Sequence, residues 1–142
     1  MSVNEIQELI TEEFSVFDDW MDRYNYLIEL GRTLPAIDPK YRTNDYLIEG
    51  CQSKVWLHPS FDGKTIHFTA DSDAIITRGI VALLIRVMTD CTPDEIINAD
   101  LWFIDRIGLR QNLSPTRSNG LLAMVKQMKL YAIAFKAKNE KS

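Results

Sequence analysis

The sequence predicts an α+β fold: a small antiparallel sheet of about three strands packed against helices. Three observations predict it. Two runs, around 54–58 and 65–69, alternate apolar and polar side chains and are joined through an Asp-Gly turn signal. The stretch that follows, around 75–88, is apolar on most sides, as a central buried helix is. Amphipathic helical segments stand before and after this unit, and a sheet with helices on one face is an α+β layer arrangement. The 142 residues fit one domain spanning 1–142. With 46% apolar and 25% charged residues, disorder, a collagen-like repeat and a small disulfide scaffold are excluded.

The first 31 or so residues predict two helices. Ile6, Leu9, Ile10 and Phe14 share one face at helical spacing. Asp18 is placed to start a second helix that buries Trp20, Tyr24, Leu27 and Ile28. Gly31 suits the position just past its end, and Pro35 supports the stop. Residues 32–50 are irregular, with a short strand possible at about Tyr46–Ile48. In the hairpin, Val55 and Leu57 alternate with Lys54, Trp56 and His58, and Ile66 and Phe68 with Thr65, His67 and Thr69. Pro59–Gly63 forms the connection.

Ser72 or Asp73 is expected to cap the central helix, which runs to about Thr89 and contains Ile75, Ile76, Ile80, Val81, Leu83 and Leu84. Thr92-Pro93-Asp94-Glu95 is a capping box with proline at the first helical position. Ser114-Pro115 opens the last helix by the same logic, with Leu121, Val125, Met128, Ala132 and Phe135 on its apolar face. Running to about Lys138, that helix is ~36 Å long at 1.5 Å per residue.

The net charge is −4 and the isoelectric point about 5.1. Such a chain has no general attraction for nucleic acid or an anionic membrane, so neither is an expected partner. Residues 1–22 carry seven acids and no base, and residues 116–142 six bases and one acid. This polarity fits two solvated helix faces, lying side by side or steering a partner. The polar, acidic start has no signal-peptide pattern, and the most apolar run, Gly79–Ile85, is far too short to span a bilayer. A cytoplasmic protein with both cysteines reduced is expected.

No zinc spacing links Cys51, His58, His67 and Cys91, so no metal site is expected, and both histidines read as surface or rim residues. Walker A, GxGxxG and HExxH patterns are absent. Asp71 and Asp73 read as helix-start acids. Cys91 reads as a small buried hydrophobe. Cys51 differs, because Gly50 lets the chain turn sharply before it and Gln52 and Ser53 offer hydrogen-bond groups beside it. A cysteine on such a tip can meet another protein's sulfur.

The run Gly50-Cys51-Gln52-Ser53-Lys54-Val55-Trp56-Leu57 strongly resembles the signature of the SufE family of cysteine desulfuration proteins. Leu27–Gly31 with Leu34-Pro35, Asp71-Ser72-Asp73 with Arg78-Gly79, and Leu113–Leu121 are similar to further blocks of that family, so the resemblance covers nearly the whole chain. Asn112 stands where many members carry histidine, and Thr116 where serine is common.

The resemblance implies an IscU-like α+β fold and a persulfide-accepting role for Cys51. It implies a SufS-type desulfurase as partner, whose cofactor is pyridoxal phosphate, and a SufB-containing scaffold complex as recipient. No cofactor of the chain's own is implied. Gly50, Gln52, Ser53, Asp73 and Arg117 are candidates for loop support or partner contact, and Arg117 could also lower the Cys51 pKa if the fold brings it near. The alternatives are a CsdE-type acceptor for a paralogous desulfurase and an adaptor that carries no sulfur. A cysteine-dependent hydrolase or peroxidase lacks a base beside Cys51 in the sequence.

Overall fold

A computed structural model describes residues 2–140. Helix α1 (Val3–Ser15) opens with a capping box in which Ser2 and Glu5 satisfy one another's backbone N–H groups at 3.1 Å. Helix α2 (Trp20–Arg32) is capped by Asp19, whose carboxylate accepts from the Met21 N–H at 3.1 Å. Asp18, the expected start, lies one residue too early.

The hairpin strands β1 (Val55–Phe61) and β2 (Ile66–Ser72) pair antiparallel from Val55↔Ser72 to Phe61↔Ile66. Strand β1 therefore continues through Pro59, and the turn is confined to residues 62–65. Asp62 closes it by accepting from the Lys64 and Thr65 N–H groups, each at 2.8 Å, while Gly63 takes φ +96°. The sheet has two strands among the described residues, not three: the expected third is a single bridge, Leu47↔Trp56. Two 3₁₀ turns, Pro39–Tyr41 and Asn44–Tyr46, keep the preceding segment from extending far enough to form a strand.

Helix α3 (Ile75–Met88) is the hub, with α1, α2, β2 and a long C-terminal helix packed against it. Leu83, Leu84, Val87 and Met88 are each at most 1% exposed, and burial of such side chains contributes roughly 1.5–3 kcal/mol apiece. Ile75 does not share this burial and is 63% exposed at the first turn. The N-cap is Ala74, with no side-chain cap bond, so neither Ser72 nor Asp73 takes the expected place. Ser72 Oγ instead accepts from the Ala74 N–H at 3.2 Å.

Helix α4 (Pro93–Ile97) has the expected capping box between Thr92 and Glu95. Two short helices absent from the sequence reading follow, α5 (Phe103–Arg106) and α6 (Leu109–Asn112). Helix α7 (Pro115–Glu140) begins where expected, with Ser114 Oγ accepting from the Arg117 N–H at 3.3 Å. Its buried stripe is Leu121, Met124, Met128 and Ala132, and Val125 is only half-buried. Lys129 Nζ ties α7 to the end of α4 by donating to the Ile97 and Ala99 carbonyls at 3.2 and 2.6 Å. The acidic and basic ends are not paired helices: α1 packs on α3 and α5, and α7 on α4 and α3.

Gly31 is not the residue past the end of α2 but lies inside it, buried against α3. A Cβ on Gly31 would lie 2.8 Å from the Gly79 nitrogen, and one on Gly79 only 2.1 Å from the Leu27 carbonyl oxygen. The two helices therefore cross with their backbones in contact, which no larger residue permits. Gly79→Ala is expected to cost about 3 kcal/mol, near the upper end for overpacking, and to lower the urea midpoint correspondingly. An unchanged midpoint would show that the helices separate without penalty.

Candidate functional site

Residues 49–53 form a loop whose stem is fastened twice. The Ile48 N–H donates to the Val55 carbonyl at 2.9 Å. One residue inward, the Lys54 N–H donates to Asp73 Oδ1 at 3.0 Å while the Asp73 N–H donates to the Lys54 carbonyl at 3.2 Å. Asp73 is thus a clasp between the loop and the β2–α3 junction rather than a helix cap. Its neighbour Asp71 is buried, with the Arg78 Nε 3.2 Å from Oδ1 and the Arg42 Nε 4.0 Å from Oδ2. Arg42 also lies over the Trp56 ring at 4.4 Å, which draws the segment before the loop onto the sheet.

Gly50 supplies the sharp turn with φ +90°. Beyond it Cys51 folds inward and is half-buried rather than displayed on the tip. Its Sγ donates to the Gly120 carbonyl at 3.5 Å. A cavity of about 90 Å³ lies beside it, lined by the loop residues Gln52 and Ser53, by Thr77 and Ile80 of α3, and by Thr116, Arg117, Gly120 and Met124 of α7. Three separate elements therefore meet at the sulfur.

Of the sequence candidates, Cys51, Gln52, Ser53 and Arg117 are brought to one cavity, Gly50 shapes the loop, and Asp73 fastens its stem. Thr77 and Gly120 were not singled out. A hydroxyl at position 77 in a mostly apolar helix, and a glycine inside the 113–121 block, were the available signals.

Burial pushes the Cys51 thiol above its ordinary range, and burial is its only resolved cause. Arg117 lines the cavity but is exposed and does not offset that rise, so the expected lowering by this residue is not present in the resting form. Cys91 is buried, its Sγ donating to the Thr89 and Val87 carbonyls at 3.5 and 3.7 Å. Burial first, then the charges of Glu95 and Asp90, push it up to about 11.

Neither histidine reaches the cavity. His58 is stacked on Tyr41 at 3.5 Å, and His67 bonds Asp90 at 2.9 Å. Asn112, at the position noted for histidine, donates from Nδ2 to the Gly108 carbonyl at 2.8 Å. No cluster of metal-ligating side chains is found among the described residues. No described helix is long and apolar enough to cross a membrane.

Fold and site together define a class: an α+β protein that holds one half-buried thiol on a fastened loop, at the meeting of a hairpin and two helices. Residues 8–132 match the family model described as the Fe-S metabolism associated domain, SufE. The chain belongs to the SufE family. It is 43% identical over 125 residues to an uncharacterized SufE-like protein of Rhizobium etli, covering 84% of each chain. It is 34% identical over 136 residues to the chloroplastic/mitochondrial SufE-like protein 1 of Arabidopsis thaliana, covering 95% of this chain and 36% of that one. The solution structure of a hypothetical protein from Thermus thermophilus has the same fold, with a TM-score of 0.76 at 17% identity over 93% of this chain and 96% of that one.

The resting geometry makes the thiol slow. Iodoacetamide is expected to modify Cys51 at neutral pH more slowly than a cysteine in an unstructured peptide. The rate should climb only above the ordinary thiol range, with Cys91 slower still. Gly50→Ala, which forces a side chain into φ +90°, at a cost of about 1–2 kcal/mol, should speed the Cys51 reaction by loosening the loop. Modification of Cys51 at the peptide's rate in the unaltered chain would overturn this account.

Proposed function

We propose that this chain is a sulfur acceptor for iron–sulfur cluster assembly, taking sulfur onto Cys51 from a SufS-type cysteine desulfurase and passing it to a SufB-containing scaffold complex. The observation that carries the reading is the placement of Cys51: a single thiol on a doubly fastened loop, with a cavity beside its sulfur. It acts as an accessory to an enzyme and needs no cofactor of its own, since the sulfur travels on the side chain while the partner's pyridoxal phosphate releases it from L-cysteine. This reading puts the protein in a reducing, cytoplasmic compartment, where both thiols remain free.

The transfer is an exchange of sulfur–sulfur bonds. The Cys51 thiolate attacks the outer sulfur of the partner's persulfide. A bond forms between Sγ and that sulfur, the partner's S–S bond breaks, and the partner's cysteine leaves as a thiolate. No net oxidation occurs, because the transferred atom keeps its oxidation level. Only the thiolate is a nucleophile, and burial disfavours it in the resting form. Docking must therefore release Sγ from the Gly120 carbonyl and bring the loop into a more polar setting. The fastened stem confines that movement to residues 49–53, with Gly50 as the turning point. Gln52, Ser53 and Arg117 then stand around the transferring sulfur, and Asp73 holds the stem in place.

A cysteine hydrolase or peroxidase requires a base at the sulfur. Neither histidine lines the cavity, so that class is disfavoured.

Incubation with a SufS-type desulfurase and L-cysteine, without reductant, followed by intact-mass measurement and peptide mapping, tests the proposal. One added sulfur atom on Cys51 is expected. Cys51→Ser should take up none and lose all stimulation of the desulfurase. Stimulation that survives in Cys51→Ser, with no sulfur on the unaltered chain, would make the protein an adaptor; loading by a paralogous desulfurase alone would make it a CsdE-type acceptor.

A further inference from the structure

Two guanidiniums stand beside one buried carboxylate, and neither is hydrogen-bonded to it. Asp71 is 7% exposed, with Arg78 Nε 3.2 Å from Oδ1 and Arg42 Nε 4.0 Å from Oδ2. Oδ1 instead accepts from the Ser72 N–H at 2.8 Å. Arg78 Nε is buried without a hydrogen-bond partner, and no donor of either arginine bonds a described residue. Arg23 and Arg86 behave differently. Arg23 donates to the Phe17 and Ile107 carbonyls at 2.9 and 3.1 Å, and Arg86 to both Glu13 oxygens.

The pair is nonetheless held in place. Arg42 lies over the Trp56 ring, and Arg78 grows from the part of α3 that Gly31 and Gly79 press against α2. A group already held gives up less freedom on binding. Both side chains reach water, at 44% and 34% exposure. Two positive charges against one negative leave an excess of one, which a single further carboxylate neutralises, and the guanidinium fork matches a carboxylate in two parallel bonds. The net charge of −4 weighs against a polyanion in that place.

A second observation points to a protein as the source of that carboxylate. Ile75 is 63% exposed and lies three residues before Arg78, on the same side of α3. Arginine beside an exposed apolar anchor is the composition of a protein–protein contact. The pair also adjoins the Cys51 loop. Asp71 is paired with Trp56, one register step beyond Val55, which closes the loop, and Thr77, next to Arg78, lines the cavity at Cys51. Five residues separate Cys51 from Trp56, at most about 18 Å when fully extended. A standard interface covers about 800 Å² of each partner, roughly 30 Å across, so a protein docked on Cys51 reaches the pair. Asp45 and Glu49, exposed acids of the segment before Cys51, instead line a groove with Lys126 of α7.

We infer that Arg42 and Arg78, with Ile75 beside them, form a docking clamp for an acidic side chain of the desulfurase that delivers sulfur to Cys51. The inference rests on the reading that Cys51 accepts sulfur from such an enzyme. It makes the two arginines determinants of affinity and leaves the transfer step to the loop.

Calorimetry tests the clamp by measuring how the unaltered chain, Arg42→Gln and Arg78→Gln bind a SufS-type desulfurase at about 0.05 M and about 0.5 M salt. At the lower salt each substitution should weaken binding about tenfold, the scale of one charge-assisted hydrogen bond; at the higher salt the loss should shrink. Ile75→Gln should weaken binding equally at both, and Arg42→Lys should recover part of the loss. In turnover, the chain concentration giving half-maximal stimulation should rise with the dissociation constant, while the stimulated rate at saturation stays unchanged. Melting curves and the iodoacetamide rate of Cys51 in the free variants identify any loss that comes from misfolding. Arg42→Gln, at the more exposed position, decides the matter if Arg78→Gln does not fold.

The inference is overturned if folded glutamine variants bind as the unaltered chain does, if their losses are the same at both salts, or if the saturated rate falls while affinity holds. Sulfur uptake on Cys51 of the unaltered chain would in each of those cases leave the acceptor function standing. An unaltered chain that neither binds the desulfurase nor takes up sulfur would sink that function, and the clamp with it.

Discussion

The backbone contact between α2 and α3 at Gly31 and Gly79 sets the position of almost everything that matters in this molecule. With the Leu27 carbonyl only 2.1 Å from where a Gly79 Cβ would stand, the helices touch along their main chains and have no freedom to slide or separate. That approach fixes the first half of α3. From there Thr77 and Ile80 face the cavity, and Asp73, just before the helix, reaches the Lys54 N–H. A close crossing between two helices thus determines where a sulfur atom sits on a third element. The apolar burial around α3 supplies most of the stabilisation, and the glycine pair supplies the geometry.

Much of this was legible in the sequence. The hairpin, the central helix, the Thr92–Glu95 cap and the Ser114-Pro115 start each rest on local rules, such as alternation, all-round apolarity and capping chemistry, that hold regardless of the surrounding fold. What failed depended on contacts distant in the chain. Gly31 has the local marks of a helix end, with Pro35 soon after, but its use is to admit Gly79, which lies 48 positions further along. Asp73 has the local marks of a cap, but its partner is Lys54. A short polar or small residue serves either purpose, and sequence spacing does not distinguish them. The two four-residue helices before α7 are single turns without a readable period.

The site was legible in part for the same reason. Cys51 stands out because glycine precedes it and polar residues follow, and those are local features. Its inward orientation is not local. It depends on Gly120, where a Cβ would approach Sγ to 3.5 Å, and on the space that α7 leaves as it passes. The local features alone suggest a thiol at a loop tip, which Arg117 could help ionise if the fold brought it near. The folded chain holds a sheltered thiol whose burial works against ionisation. Reactivity is therefore a property of the loop's position, and whatever moves the loop governs the chemistry.

The second cysteine gives this arrangement another consequence. Cys51 precedes the start of β1, which pairs with the end of β2, while Cys91 bridges to Ile66 at the start of β2. The seven-residue strand between those points spans roughly 20 Å at about 3.3 Å per residue, and a disulfide requires Cα atoms within about 7 Å. The chain therefore contains no resolving thiol. Sulfur carried on Cys51, as proposed, would have no internal route by which it could be expelled as sulfide in exchange for an intramolecular disulfide. Its lifetime would be set by thiols that arrive from outside, past the short loop at residues 49–53 and the exposed start of α7.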